Sequence, residues 1–552
     1  MKILPGCLLI LAFGSSSAQR PSTVAGRSPV YAPNGAAATS QPLATTAAID
    51  VLQHGGNAID AAITAAAVLS VVEPMMTGVG GDMFALIWSA KEKKLVALNA
   101  SGRAGSLMTR DELLRRGRTR SIPRGIETVT VPGALAGWQT LLDKYGTMTL
   151  AQTLQPAIRY AENGFVVTPV IAGDWAGQVG ILRADPGARA TFLPGDQAPR
   201  AGDWFTNPDY ARTLRQVAAE GPAALYGGTL GARIVDRVRK LGGFITLEDL
   251  KRNAPTWVTP ISVAFRGYRV WELPPSNQGI AALEMLRILE PYDLKALGHN
   301  TAPYLHLLIE AKKLAYADLV QYAGDADHLT LSPTQILSDA FIAERRSHID
   351  RAKAMAHTGP GPERVASETI YLTVADKDGN MVSFINSLFD EFGSGVVVPG
   401  TGFALHDRGG GFTLAPGLPN TVAPGKRPFH TLIPGFVTIP QSQNPDQPYM
   451  SFGLMGGAMQ AQGHVQFLLN HLVFGMNVQE AMDAGRFRHL DSTRVIVESV
   501  IPDSVQSALR ALGHRMTVGT PDRFGGSQAI IRLPRGYVAG SDPRKDGHAA
   551  GH

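Results

Sequence analysis

Thr369-Ile370-Tyr371-Leu372-Thr373-Val374-Ala375-Asp376-Lys377-Asp378-Gly379-Asn380-Met381-Val382-Ser383-Phe384-Ile385-Asn386-Ser387 is the stretch on which the reading of this chain turns. Residues 369–376 and 381–387 alternate and are rich in β-branched and aromatic side chains. The four residues between them are turn formers, so the pattern predicts a β-hairpin. It follows His357-Thr358-Gly359-Pro360-Gly361-Pro362, a loop or linker by its Gly/Pro content. Upstream the texture is mainly helical. Residues 43–52 and 57–72 are Ala-rich and apolar almost all round, as buried helices are, and amphipathic runs fill residues 133–341. Residues 83–88 and 94–99 predict a second hairpin around Lys91-Glu92-Lys93, and residues 261–272 one strand-like stretch ended by Pro274-Pro275. Downstream come strands at 429–439 and 449–453, then Gly456-Gly457 and a helix at 461–472. Strands and helices in separate runs predict an α+β body, a sheet sandwich covered by helices. Low complexity is confined to the N-terminus and the tail, residues 546–552.

The 552 residues suit one large domain or two intimate ones, with 44% apolar and 18% charged residues. A net charge of +5 is small for this length. The cluster Arg115, Arg116, Arg118 and Arg120 reads as a solvated helix end, and no aromatic-interleaved basic stripe points to nucleic acid. Met1-Lys2, an apolar run from Ile3 to Phe13 and the small residues Ser15-Ser16-Ser17-Ala18 read as a signal peptide over residues 1–18. The run is well short of the roughly 20 apolar residues of a membrane span. Its survival as an uncleaved anchor is the competing reading. Cys7, the single cysteine, lies inside it, so a mature chain from about Gln19 has no thiol chemistry. Export without disulfides points to a periplasmic or secreted enzyme, with no membrane partner beyond the signal.

No metal site is expected. His406, His430 and His464 are isolated along the chain, and no Cys-x-x-Cys spacing exists. Gly78-Val79-Gly80-Gly81 precedes a strand rather than a helix and reads as a tight turn. Ser394, in Phe392-Gly393-Ser394-Gly395, lacks the nucleophile-elbow pattern. Thr369 as a residue is only a good strand former. What singles it out is its place where a helical half meets a sheet half. Downstream, Met455-Gly456-Gly457 sits between strand and helix, where free backbone N–H groups can meet an oxyanion.

Several segments resemble the γ-glutamyltransferase (γ-glutamyltranspeptidase) family. They are Gly55-Gly56-Asn57-Ala58-Ile59-Asp60-Ala61-Ala62, Gly80-Gly81-Asp82-Met83-Phe84, Val131-Pro132-Gly133, Pro274-Pro275-Ser276 and Ala315-Tyr316-Ala317-Asp318. Asp376-Lys377-Asp378-Gly379-Asn380, Gly425-Lys426-Arg427-Pro428 and Gly540-Ser541-Asp542-Pro543-Arg544 match as well, in order, from about residue 30 to 544. The resemblance implies an αββα four-layer sandwich of the N-terminal-nucleophile hydrolases, with no cofactor. It also implies a precursor that cuts itself between Glu368 and Thr369 into a mainly helical large subunit, residues 19–368, and a sheet-rich small subunit, residues 369–552, which stay together. By the same resemblance Thr369 is the nucleophile, Ser387 orients it, Gly456 and Gly457 form the oxyanion hole, and Arg103 grips a substrate carboxylate. Against each stands a plainer reading: Arg103 pairs with a carboxylate of the protein, and Gly457 only starts a helix.

The sequence departs from the γ-glutamyl-specific pattern where that family holds the substrate's amino-acid end. Its Asn position is Phe389, its acidic or amide position Arg408, its Asp position Gly411 and its serine pair His430-Thr431. The connection Pro419-Asn420-Thr421-Val422-Ala423-Pro424 also lacks the residues that form a lid in some members. An ammonium group would meet a guanidinium here, which is repulsive. The expectation is therefore an amide hydrolase or acylase acting on an acyl group with a carboxylate but no α-amino group, glutaryl- or oxamate-like, with water or an amine as acceptor. The alternatives are a γ-glutamyl hydrolase or transferase acting on glutathione, and a non-catalytic binding protein on the same fold.

Overall fold

The computed structural model describes residues 27–356, 368–442 and 445–552, apart from the Glu368 side chain. The export segment, Cys7 and the Gly/Pro loop from His357 lie outside the described residues. The quoted hairpin forms as expected, with Glu368–Ala375 paired antiparallel to Met381–Phe389. Asp376 organises its turn by accepting the backbone N–H groups of Asp378 and Asn380, both at 3.0 Å. Its other oxygen accepts Ala58 N–H at 2.9 Å and so ties the turn to the buried helix Ala58–Val72. Asn57 caps that helix in a box with Asp60, a device worth about 1 kcal/mol.

Two seven-stranded antiparallel sheets face each other. The first runs His548–Gly551, Ala36–Thr39, Glu368–Ala375, Met381–Phe389, Asp82–Ser89, Lys94–Ala100, Thr256–Val258. The second runs Val30–Ala32, Tyr537–Ser541, Ser527–Arg532, Gln447–Leu454, Pro434–Ile439, Tyr268–Glu272, Ile261–Phe265. Side chains alternate between faces along a strand, and the cores sort accordingly. Ile370, Leu372 and Val374 pack with the helical residues Ile63, Ala66 and Leu69, whereas Tyr371 and Ala375 meet Leu432, Phe436 and Ile530 between the sheets. A third core joins the second sheet to Gly279–Leu289, Ala302–Tyr322 and Met459–Leu472. The order is helix, sheet, sheet, helix, as the resemblance implies.

Some expectations need correction. Residues 261–272 are two strands around Arg266-Gly267, both at positive φ, rather than one. The tail is not idle: His548–Gly551 is an edge strand on Ala36–Thr39. The arginine cluster, by contrast, is the solvated helix end expected, with Arg115 and Arg116 also paired to Glu112 and Arg116 and Arg118 to Glu127. Among the described residues no helix is long and apolar enough to cross a membrane.

Candidate active site

Thr369 lies on the face of its strand that looks toward the second sheet, and it is fully buried. Two contacts fix what stands opposite. Thr373 Oγ1 is 2.5 Å from Ser451 Oγ, and Gly453 lies against the Tyr371 ring, with no room for a Cβ. Two residues further along both strands come Thr369 and Met455, so the Gly456-Gly457 turn stands at the Thr369 end. Those glycines have φ of +118° and +58°, a region that favours glycine. They lead into Met459–Leu472, whose N-terminus has no side-chain cap. The first N–H groups of this helix, those of Met459 and Gln460, turn back on Gly456 O and Gly457 O at 3.0 and 3.1 Å, so the glycine turn itself is built into the helix start.

The ladder is irregular at the same place. Glu368 pairs with Phe389 but Ile370 with Asn386, so a bulge sits opposite Thr369. Phe389 has φ +82°, a strained conformation for a non-glycine residue that costs about 1–3 kcal/mol and is characteristic of functional sites. Together they aim Ser387 at the threonine: Thr369 Oγ1 donates to Ser387 Oγ at 3.1 Å, and Phe389 N–H donates to the same oxygen at 2.7 Å.

The side chains expected at the acyl end converge here. The Arg408 guanidinium lies 4.3 Å from the centre of the Phe389 ring and donates to Thr431 Oγ1 at 3.2 Å, with Arg408 fully buried. Gly411 packs against the carbonyl of Phe429, where a Cβ would come within 2.5 Å. His430 is buried beside Asp82, with Nε2 3.4 Å from Oδ2, and packs edge-on to Phe84. Burial first, and then Arg408, hold the His430 pKa well below the usual imidazole range, so its ring is neutral.

Asp82 is the residue that sequence reasoning passed over, although its motif was in view. Its Oδ1 accepts the N–H groups of Gly102 (2.9 Å) and Gly133 (3.0 Å), which fixes the loop carrying Arg103. Its Oδ2 lies 3.4 Å from both His406 Nδ1 and His430 Nε2. Burial would raise its pKa, but His406, His430 and Arg408 outweigh it and hold the carboxyl at about 2. His406 and His430 are therefore not isolated, as their spacing suggested; they share one carboxylate. His464 is the ordinary case, bonded to Glu272 and Leu454 N–H. Arg103 follows the plainer reading in part. Its Nη1 meets Asp325 Oδ2 (3.3 Å) and Gly425 O (2.9 Å), with the side chain 40% exposed. Among the described residues one group has ligand-like spacing, His306, Glu310 and His514. Lys313 already bonds Glu310 at 2.7 Å and His306 bonds His514 at 2.8 Å, so it is a hydrogen-bonded network.

The sequence matches the γ-glutamyltranspeptidase family over residues 44–552. The chain belongs to that family. It is 35% identical to a glutathione hydrolase-like proenzyme of Bacillus subtilis, over 92% of this chain and 97% of that one. It is also 35% identical to an acylase proenzyme of a Pseudomonas strain, over 93% of each. The solved cephalosporin acylase of Bacillus halodurans is 42% identical and superposes with a TM-score of 0.90, covering 98% of this chain and 99% of that chain. The chain is accordingly an enzyme, an amidohydrolase or acyltransferase of the N-terminal-nucleophile type.

Proposed function

We propose that this enzyme is an exported, self-processed acylase whose acyl group carries a carboxylate and no α-amino group, as a glutaryl or oxamate-like group does. A cut between Glu368 and Thr369 would separate the large subunit, residues 19–368, from the small one, residues 369–552. It frees an α-amino group with a reference pKa of about 7.7–8.0, able to act as base near neutrality, directly or through one water. Thr369 Oγ1, oriented by Ser387, then attacks the amide carbon. Backbone N–H groups at Gly456-Gly457 receive the oxyanion, the amine leaves with a proton, and water or an amine resolves the threonyl ester.

The observation that carries the reading is Arg408, buried on Phe389 and bonded to Thr431, beside a Gly411 with no space for an acidic side chain. Two unit charges 4 Å apart interact by about 4 kcal/mol near a protein surface. Arg408 favours a carboxylate at this end by its sign and opposes an ammonium. Arg103 is the second cation for that group, and His430, neutral, forms part of the wall. The acylases among the relatives support this choice. Comparing kcat/KM on glutaryl- and γ-glutamyl-p-nitroanilide tests it. At least a tenfold preference for the glutaryl compound is expected. Preference for the γ-glutamyl compound would overturn it in favour of the glutathione-hydrolase reading, which the name of the Bacillus subtilis relative favours. Export predicts a mature N-terminus near Gln19, read by N-terminal sequencing of the periplasmic fraction.

A further inference from the structure

The acyl-end wall and the turn at Gly456-Gly457 are joined by one side chain with no role so far. Gln278 is 1% exposed and stands just before the helix Gly279–Leu289. Its single amide nitrogen donates two hydrogen bonds, to Thr431 O at 2.7 Å and to Gly457 O at 2.8 Å. An amide NH2 has two hydrogens, so both are used. Its oxygen faces the Tyr316 hydroxyl at 3.2 Å, and that hydroxyl donates to Ala458 O at 2.5 Å.

We propose that Gln278, backed by Tyr316, is a positioning residue that sets the direction of the oxyanion-binding N–H groups and keeps them in register with the acyl-recognition wall. A trans peptide is planar, and its C=O and N–H point opposite ways. Gly457 is one of the two donor residues, and its carbonyl is held from two sides, by Gln278 and by Gln460 N–H at 3.1 Å, which fixes the residue behind its own N–H. The Gly456 carbonyl is held in the same manner by Met459 N–H at 3.0 Å, which turns the Gly457 N–H outward. Glycines at positive φ are the most permissive backbone there is; without such anchors the turn has many accessible orientations. An oxyanion donor acts through its preorganised direction.

The second bond of Gln278 gives the device its further property. Thr431 Oγ1 accepts from Arg408, and Arg408 stacks on Phe389, whose N–H holds Ser387. One side chain thus completes a chain of contacts running from Ser387 through Phe389, Arg408 and Thr431 to Gly457. The reacting carbon and the charged end of the acyl group are measured against the same frame. This inference rests on the oxyanion role given above to Gly456-Gly457, and not on the identity of the acyl group.

The test uses the processed enzyme and whichever of the two p-nitroanilides wild type hydrolyses faster, so a wrong acyl assignment cannot imitate failure. Gln278→Glu keeps the shape and removes both donors. The expected result is a kcat about tenfold to a hundredfold lower, a fraction of the loss on deleting an oxyanion donor, with KM within about twofold. A boronic acid carrying the same acyl chain, which forms a tetrahedral adduct on the threonine, should weaken in parallel. The affinity of the corresponding free carboxylic acid should not change. Tyr316→Phe should move kcat the same way by a smaller factor. Unchanged kcat, or a raised KM at unchanged kcat, would overturn the proposal. If Gln278→Glu does not fold or mature, Tyr316→Phe decides by the same criteria.

Discussion

Asp82 does at one position what several residues could share: it orders two loops through Gly102 and Gly133 and supplies negative charge beneath Arg408 and His430. Its carboxyl is lowered from an ordinary 3.8 to about 2. A depressed carboxyl stabilises the fold above its unfolded pKa, and that contribution is lost as pH falls through the folded value. The window is therefore about pH 4 down to 2, and a shift of this size corresponds to roughly 2–3 kcal/mol. Asp82→Asn should unfold at lower urea than wild type at pH 6, and the gap should narrow to about half near pH 3 and close only as the pH falls below about 2. A gap independent of pH would refute the assignment. Gly411 yields the opposite kind of prediction. Restoring the family's acid with Gly411→Asp should not create γ-glutamyl specificity, because its Cβ would lie 2.5 Å from the Phe429 carbonyl. Lower Tm and reduced kcat/KM on both p-nitroanilides are expected. A selective gain on the γ-glutamyl compound would show that the wall can yield.

The strand Glu368–Ala375 and the strand Gln447–Leu454, which faces it from the other sheet, set the spacing on which the site depends. Gly453 is the closest approach, with the Tyr371 ring 2.3 Å from where a Cβ would stand. Gly453→Val should force the sheets apart beside Thr369. Overpacking of this kind costs about 1–3 kcal/mol or more, so differential scanning calorimetry should show a Tm lower by several degrees, and kcat should fall with it. Unchanged Tm and kcat would mean that the inter-sheet spacing is not what positions Thr369. Elements with a strong period were legible in the sequence: the quoted hairpin, the all-apolar helix Ala58–Val72 and the hairpin around Lys91-Glu92-Lys93 form where the pattern puts them. His548–Gly551 was not, because Ala and Gly carry little strand signal and the edge of Ala36–Thr39 recruits it. The site was legible only as separate motifs. Thr369 and Ser387 are neighbours on one hairpin and read together. Asp82, His406 and His430, or Gln278 and Gly457, lie far apart along the chain and meet only through the packing of two sheets.

At the scale of the whole molecule, the cut expected before Thr369 does not divide the fold into halves. In the first sheet Glu368–Ala375 lies between Ala36–Thr39 and Met381–Phe389, and Met381–Phe389 pairs with Asp82–Ser89. In the second sheet Val30–Ala32 pairs with Tyr537–Ser541, and Tyr268–Glu272 pairs with Pro434–Ile439. Each sheet thus holds strands from both sides of residue 369, and all three cores draw on both. Neither segment buries its apolar faces without the other, so the two products should behave as one cooperative unit. Denaturing electrophoresis should show two bands for wild type and one full-length band for Thr369→Ala. Under native conditions both should elute at one size consistent with a complete protomer, and calorimetry should give one transition for each. The cut touches the strand Glu368–Ala375 only at its first residue and leaves the pairing of residues 370–375 intact, so the two Tm values should lie within a few degrees. Two separate transitions in the processed enzyme, or a folded segment 369–552 produced alone, would contradict a shared core.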